Sequence, residues 1–99
     1  MPDPRIWPIP SAGNGAIMVA VASTLVLAAA ANRVDAELVN DGDNVIYLSR
    51  GMPAVMGSGI RLNPRGGSYR IGTANLYLGE IYGIAIANTN MTVTEGIKP

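Results

Sequence analysis

The chain has 99 residues, with seven Lys plus Arg against seven Asp plus Glu, and it contains neither His nor Cys. A chain of this length forms one small domain with a thin core. Zero net charge gives no long-range field to attract nucleic acid, and the missing residue types exclude disulfides, zinc sites, thiol nucleophiles and imidazole bases. Charged residues make up 14% of the chain, against about a quarter in isolated soluble domains, so we expect other subunits to cover part of the surface.

The N-terminal segment, MPDPRIWPIPSAGNG, is rich in proline. Proline lacks an amide donor and holds the preceding residue in extended conformations, so this segment cannot form a helix. It also carries large apolar side chains that a solvated linker would not need. We predict an extended arm at residues 1–15 that docks on a neighbouring protein, followed by a single β domain at residues 16–99. The alternative is that the arm packs against its own domain. The predicted contact residues of the arm are Arg5, Ile6, Trp7 and Ile9.

Residues 16–31, AIMVAVASTLVLAAAA, form an uncharged run. The run is shorter than the roughly 20 residues that a membrane-spanning helix needs, and the pair Ser23-Thr24 divides it. A secretory signal would also need a basic segment with few prolines before it. We therefore predict no membrane span, and expect two buried strands at residues 17–21 and 25–27. A buried helix is the alternative.

The next elements are predicted from period-two alternation and from turn residues. Residues 34–38 alternate apolar and charged side chains, as a half-buried strand does. Residues 40–44, NDGDN, are turn formers that tolerate positive φ, and residues 45–48 resume as a β-branched and aromatic run. We predict a hairpin made of these two strands.

Shorter strands follow in the second half of the chain. Residues 60–62 read as a brief strand that ends in the turn NPRGG, and residues 68–71 read as the returning strand. Residues 91–95 alternate again and are predicted to be the last strand.

Residues 76–78, LYL, and residues 80–87, EIYGIAIA, together form the longest apolar β-like stretch of the second half. Tyr82, Ile84 and Ile86 share one face of it, and both faces are uncharged between Ile81 and Ala87. Such a strand is typical of a position between two layers. In all, the pattern predicts seven or eight short strands, and hence an all-β fold. We expect a small antiparallel, jelly-roll-like β-sandwich or barrel with an extended N-terminal arm.

No residue pattern indicates catalysis, a cofactor or a metal. The turn at residues 41–44 offers oxygen ligands but lacks the spacing of a calcium loop, and the Ser and Thr hydroxyls have no base in a recognisable arrangement. We predict no enzyme activity, no cofactor, no metal site and no nucleic-acid partner.

Arginine dominates the basic residues, six of seven, and its planar group suits bidentate pairing with carboxylates at interfaces. Isolated surface ion pairs are the alternative. The predicted intersubunit contacts are Arg33, Arg50, Arg61 and Arg70, with Asp35, Glu37 and Glu80.

About 70 residues, from Leu25 onward, carry a resemblance to a known class of proteins. The residues concerned are Leu27, 30–33 (AANR), 39–42 (VNDG), 44–48 (NVIYL), 57–62 (GSGIRL), 66–69 (GGSY), 76–84 (LYLGEIYGI) and 93–95 (VTE). In this order they resemble small virion-associated structural proteins of tailed bacteriophages, those of head decoration, head fibres or tails. The proline-rich arm lies outside the resemblance.

The resemblance implies a compact β-sandwich that assembles as a dimer or trimer and binds the major capsid protein or another virion protein lattice. It implies a non-enzymatic decoration or cement protein, made in the host cytoplasm and located at the capsid surface of the virion. The alternative is a fibre or tail-associated module that recognises a cell-surface glycan or protein. Similar β modules occur at several places on a virion, so the pattern favours the architecture more than the role.

Overall fold

The computed structural model describes residues 11–72 and 74–97, and within them every regular element is a β-strand. The strands are three to nine residues long and are separated by turns and loops. They are β1 (Ser11–Val19), β2 (Thr24–Leu27), β3 (Arg33–Asn40), β4 (Ile46–Arg50), β5 (Ile60–Leu62), β6 (Ser68–Ile71), β7 (Ile81–Ala85) and β8 (Thr89–Ile97).

These strands form two antiparallel sheets of four, in the orders β1-β8-β3-β6 and β2-β7-β4-β5, which we call the first and the second sheet. Strand β1 pairs with β8, β2 with β7, β3 with β6 and β4 with β5. The chain is therefore folded like one long hairpin with its tip between β4 and β5, and successive strand pairs alternate between the sheets. This is the arrangement of a jelly roll, and it confirms the predicted all-β sandwich.

Most connections in this fold cross from one sheet to the other. Strands β3 and β4 lie in different sheets, so the hairpin predicted from residues 34–38 and 45–48 is wrong. The reason is that β3 pairs with β8 on one side and with β6 on the other, which leaves no free edge for β4. Strand β6 likewise lies in the sheet opposite to β5. Among the described strands, only β4 and β5 are consecutive in the chain and paired.

A buried asparagine organises the crossing from β3 to β4. The Asn40 Nδ2 donates to the carbonyl oxygens of Asn44 at 2.7 Å and Leu62 at 3.1 Å, and its Oδ1 accepts from the Gly42 amide at 3.1 Å. Gly42 does not have the positive φ that the turn sequence suggested. Glycine is required there because the position has no room for a Cβ, which would lie 2.5 Å from Cγ2 of Thr89.

The core lies between the two sheets and receives one or two residues from each strand. Its buried members are Val19, Val26, Leu27, Ala36, Leu38, Ile46, Leu48, Leu62, Ile71, Ile81, Ala85 and Met91. Because no strand supplies more than two of them, the burial that stabilises the fold is available only when all strands are in place.

The uncharged run at residues 16–31 forms the end of β1 and all of β2, as two strands rather than a helix. Each is half-buried instead of buried, since Val19 and Val26 face the core while Met18 and Leu25 are exposed. The two strands also lie in different sheets.

Candidate interaction surfaces

The predicted contact residues of the N-terminal arm, Arg5, Ile6, Trp7 and Ile9, lie outside the described residues. Residues 11–15, which the sequence assigned to the arm, belong to β1 and pair with residues 93–97 of β8. The sandwich therefore already includes Ser11, and the preceding residues join it at the end of an edge strand of the first sheet.

Arg33, at the start of β3, has a fully buried side chain. Its Nε donates to Glu95 Oε2 at 2.6 Å, its Nη1 to the carbonyl oxygens of Tyr77 at 2.6 Å and Gly79 at 3.3 Å, and its Nη2 to that of Ala28. One guanidinium thus ties β8 to two loops at one end of the sandwich. No surface of this side chain is left for a second subunit, so the intersubunit contact predicted for Arg33 is wrong.

A β-bulge turns Arg33 toward the interior. Asp35 and Glu37 point away from the core, and regular alternation would place Arg33 on the same outer face. The register with β8 shifts between Arg33 and Asp35, and such a bulge redirects the side chain. The sequence does contain a sign that a cation lies inside, because Glu95 is four residues after the core residue Met91 and therefore shares its face of β8. A carboxylate on that face requires a cationic partner inside the protein.

The other six charged residues predicted at intersubunit contacts lie in three separate places. They are Asp35, Glu37 and Arg70 on the outer face of the first sheet, Arg61 on the outer face of the second sheet, and Arg50 and Glu80 where β4 ends and β7 begins. None of the six forms an ion pair within the described chain. The fold does not gather them into one patch, and their contact with another subunit stays a prediction.

Two tyrosines order the region around Arg50 and Glu80. The Tyr77 ring centroid is 5.6 Å from Arg50 Cζ, and the Tyr77 hydroxyl donates to the Glu80 carbonyl at 3.1 Å. The Tyr82 hydroxyl donates to the Glu80 carboxylate at 3.1 Å, and this hydrogen bond, with some loss of hydration and the negative charge of Glu80, raises the pKa of Tyr82. Glu80 therefore favours the protonated form of the Tyr82 phenol over the phenolate.

The connection between β4 and β5, residues 51–59, packs onto the second sheet. Its buried Ala54 donates a backbone hydrogen bond of 2.8 Å to Oγ of Ser23, just before β2. Strand β7 lies between β4 and β2, so the connection crosses the outer face of β7. Ile84 on that face is only 8% exposed although it stands outside the main core. Strand β7 thus buries Ile81 and Ala85 on its inner face and Ile84 on its outer face, where Tyr82 is half-buried. The strand is shorter than the predicted stretch, since residues 76–78 and 86–87 lie outside it and Ile86 is 71% exposed.

The same connection exposes apolar side chains. Met52, Val55 and Met56 are 63%, 61% and 44% exposed, and no charged residue occurs among residues 51–59. Leu25, on the outer face of β2, is also exposed. We call these four residues the loop surface. In the part of the chain that the structure describes, nothing covers it.

The outer face of the first sheet is polar by comparison. The Thr94 hydroxyl on β8 donates to Oδ1 of Asn14 on β1 at 3.0 Å, and Thr92 and Asn90 continue the same row. The two outer faces of the sandwich therefore differ in chemistry, and the apolar one is the better candidate for a protein contact.

Within residues 11–72 and 74–97, no three His, Cys, Asp or Glu side chains lie together as a metal site would require. No helix in these ranges is long and apolar enough to cross a bilayer. Every buried side-chain nitrogen or oxygen described has a hydrogen-bond partner. No protein-family model, curated protein or solved structure matches the chain. The surfaces of the domain are therefore the features that bear on its function.

Proposed function

We propose that the protein is a non-enzymatic virion structural protein, a decoration or cement protein of the capsid surface. It would associate with itself and stabilise a lattice of the major capsid protein, or of another virion protein, through its β domain and N-terminal arm. The observation that carries the proposal is the loop surface on the outside of the second sheet.

The loop surface is a feature that a freely soluble domain of this size does not need. Met52, Val55 and Met56 are each more than 40% exposed and lie close together in sequence. Contiguous exposed apolar patches mark binding sites, because covering them releases about 25 cal/mol per Å² of apolar area. A protein lattice is a partner that would cover them permanently.

The interior of the domain supports a structural role. Each buried side-chain nitrogen or oxygen that the structure describes, including those of Arg33 and Asn40, has a hydrogen-bond partner within the chain. The sandwich can therefore act as a stable unit whose loops and termini make the contacts. Double-sheet jelly rolls occur in viral capsid and lectin domains, an analogy that is compatible with a virion role but does not select it.

The N-terminal segment has the chemistry of a docking arm. Four prolines among its first ten residues restrict the unbound chain and so reduce the entropy lost on docking. Trp7 and Ile9 provide apolar anchors of the kind that dominate binding energies. The arm joins β1 at a sheet edge, from which it would reach a neighbouring subunit.

The test uses virus particles from the source of the chain and a variant that lacks residues 1–10. The deletion stops at residue 10 because residues 11–15 pair with β8. We expect quantitative mass spectrometry to find the protein in purified particles. Particles stripped of it should regain it, and their heat resistance, from the full-length chain but not from the deletion variant.

The controls separate loss of folding from loss of docking. The deletion variant should keep the circular dichroism and urea midpoint of the full chain, and Ser68→Lys, on the first sheet away from the loop surface, should still bind. Absence of the protein from purified particles would overturn the proposal. Full occupancy by the deletion variant would remove the role of the arm.

The alternative is a fibre or tail-associated module that binds a cell-surface glycan or protein. The observation that favours it is the half-buried pair Tyr47 and Tyr82 on the outer face of the second sheet, with the Glu80 carboxylate beside Tyr82. Planar rings with a polar group at their edge suit sugar recognition. This reading predicts glycan binding by ligand-observed NMR that Tyr47→Ala abolishes, whereas the decoration role predicts none.

A further inference from the structure

The four edges of the two sheets differ in how they are protected. Strand β5 has three residues and includes the exposed Arg61, and β6 has four residues and includes the exposed Arg70. Strand β2 has four residues and its register shifts between Leu25 and Leu27. Short length, charge and bulges are the features that keep a sheet edge from pairing with another chain.

Strand β1 has none of these protections. It is nine residues long, pairs with β8 in one unbroken register, and contains neither charge nor proline. Among the described strands β8 is its only neighbour. The other edge of β1 therefore presents a row of backbone donors and acceptors to any chain that can pair with it.

The side chains of β1 leave room for a partner. Residues 13–16 are exposed, and Met18 is 54% exposed. A Cβ built at Gly13 or Gly15 would have no neighbouring atom within 4 Å, so the space beside these glycines is open. Neither glycine has positive φ, so both have ordinary extended backbone.

We propose that β1 pairs with β1 of a second copy, antiparallel about a two-fold axis at Gly15. The two first sheets, four strands each, would join into one continuous sheet. This deepens the self-association of the proposed function by naming the interface, and it rests on that function for its biological role.

The sequence of β1 is complementary to itself in this register. Gly13 of one copy lies opposite Ile17 of the other, and Asn14 lies opposite Ala16. The half-buried Ile17 thus faces the open space at Gly13, and each larger side chain meets a smaller one. An uncharged strand also meets its own copy without repulsion. Such an isologous contact closes after two subunits and leaves the edges at β6 free.

The test places charge at the two-fold axis. In the protomer a side chain at residue 15 meets open space, so Gly15→Lys and Gly15→Glu should fold like the wild type. In the dimer each substitution brings two like charges together. We expect light scattering after size exclusion to show a dimer for the wild-type chain, monomers for either variant alone, and a dimer again for their equimolar mixture.

Ser68→Lys, on the opposite edge strand of the same sheet, is the matched control and should remain dimeric. A monomeric wild type would overturn the proposal, as would an oligomer that Gly15→Lys leaves intact. A third outcome would also overturn the proposal: the full chain is a monomer, but the variant lacking residues 1–10 is a dimer. In that case the N-terminal segment of the same chain occupies the edge of β1.

The proposal and the proposed function fail separately. A Gly15-dependent dimer that is absent from purified virus particles would keep the interface and remove the virion role. If the protein is bound to particles but is a monomer in solution, the virion role is kept and the β1 interface is removed.

Discussion

At the scale of single residues, the described chain contains two ion pairs that differ in burial. The side chains of Arg33 and Glu95 are 0% and 25% exposed, whereas those of Arg65 and Asp43 are 77% and 71% exposed. A buried charge that loses its partner keeps the cost of having left water, but an exposed one is rehydrated. The two pairs therefore form an internal comparison.

Glu95→Gln should lower the free energy of unfolding by about 2 kcal/mol, because Arg33 would stay buried with its charge no longer balanced. Asp43→Asn should change it by less than about 1 kcal/mol. Urea midpoints at unchanged slope measure both. Equal effects of the two substitutions would contradict the structural role given to the buried pair.

The Tyr82–Glu80 hydrogen bond predicts a pH dependence. The pKa of Tyr82 in the folded state lies above its unfolded value of about 10, so folding favours the protonated phenol. The contribution of Tyr82 to the free energy of unfolding is fully present below a pH of about 10, and it is lost as the pH rises through the raised pKa.

Glu80→Gln should therefore move the titration of Tyr82 to lower pH. The absorbance of the phenolate in the folded protein measures this titration. The difference between each protein and its Tyr82→Phe variant isolates this tyrosine from the other three. An unchanged titration after Glu80→Gln would contradict the assigned cause.

At the scale of elements, the connection between β4 and β5 owes its course to glycines. Gly57 and Gly59 have φ of 81° and 94°, in the range that residues with a Cβ rarely adopt. They differ in space, because a Cβ at Gly57 meets nothing within 4 Å whereas one at Gly59 would overlap the Leu48 carbonyl oxygen. The effect of positive φ and the effect of close contact with the Leu48 backbone can thus be measured separately.

Gly57→Ala should cost about 1 kcal/mol of unfolding free energy through φ alone. Gly59→Ala should cost about 3 kcal/mol, since overlap with β4 backbone adds to the same strain. Thermal and urea unfolding of the two variants measure the difference. A similar cost for both would mean that the approach of Gly59 to β4 is not required.

At the scale of the whole molecule, the two halves of the chain are interleaved. Each of the six pairs of neighbouring strands joins one of β1–β4 with one of β5–β8. Neither half can form a sheet of its own in the native arrangement. Folding must therefore bring distant segments together before it gains much burial, as in other β folds of this kind.

Fragments 1–56 and 57–99, separated within the connection between β4 and β5, should each lack the circular dichroism of a β-sheet. Their equimolar mixture should regain it, because the interleaved strands complete both sheets. A fragment that shows native-like signal on its own would contradict this account.

The sequence predicted the strands better than it predicted the candidate surfaces. Period-two alternation and turn residues identified the strands that became β3, β4 and β8. Arg33 was predicted at an intersubunit contact from the pairing chemistry of arginine, whereas a one-residue register shift turns it toward the interior. The loop surface was not predicted, because residues 51–59 lack periodicity and their exposure depends on how they cross β7.

By itself, the sequence determined the all-β class, a number of about seven or eight strands and which residues share a face where a strand is regular, because these follow from side-chain alternation and backbone preferences over a few residues. The tertiary structure decided which strands pair, which of two sheets each turn leads to, and that Arg33 is buried while β1 has β8 as its one neighbour among the described strands. Pairing depends on which edges are already occupied by distant strands, as β3 shows with β8 and β6. Local residue patterns do not specify which distant strand occupies each edge.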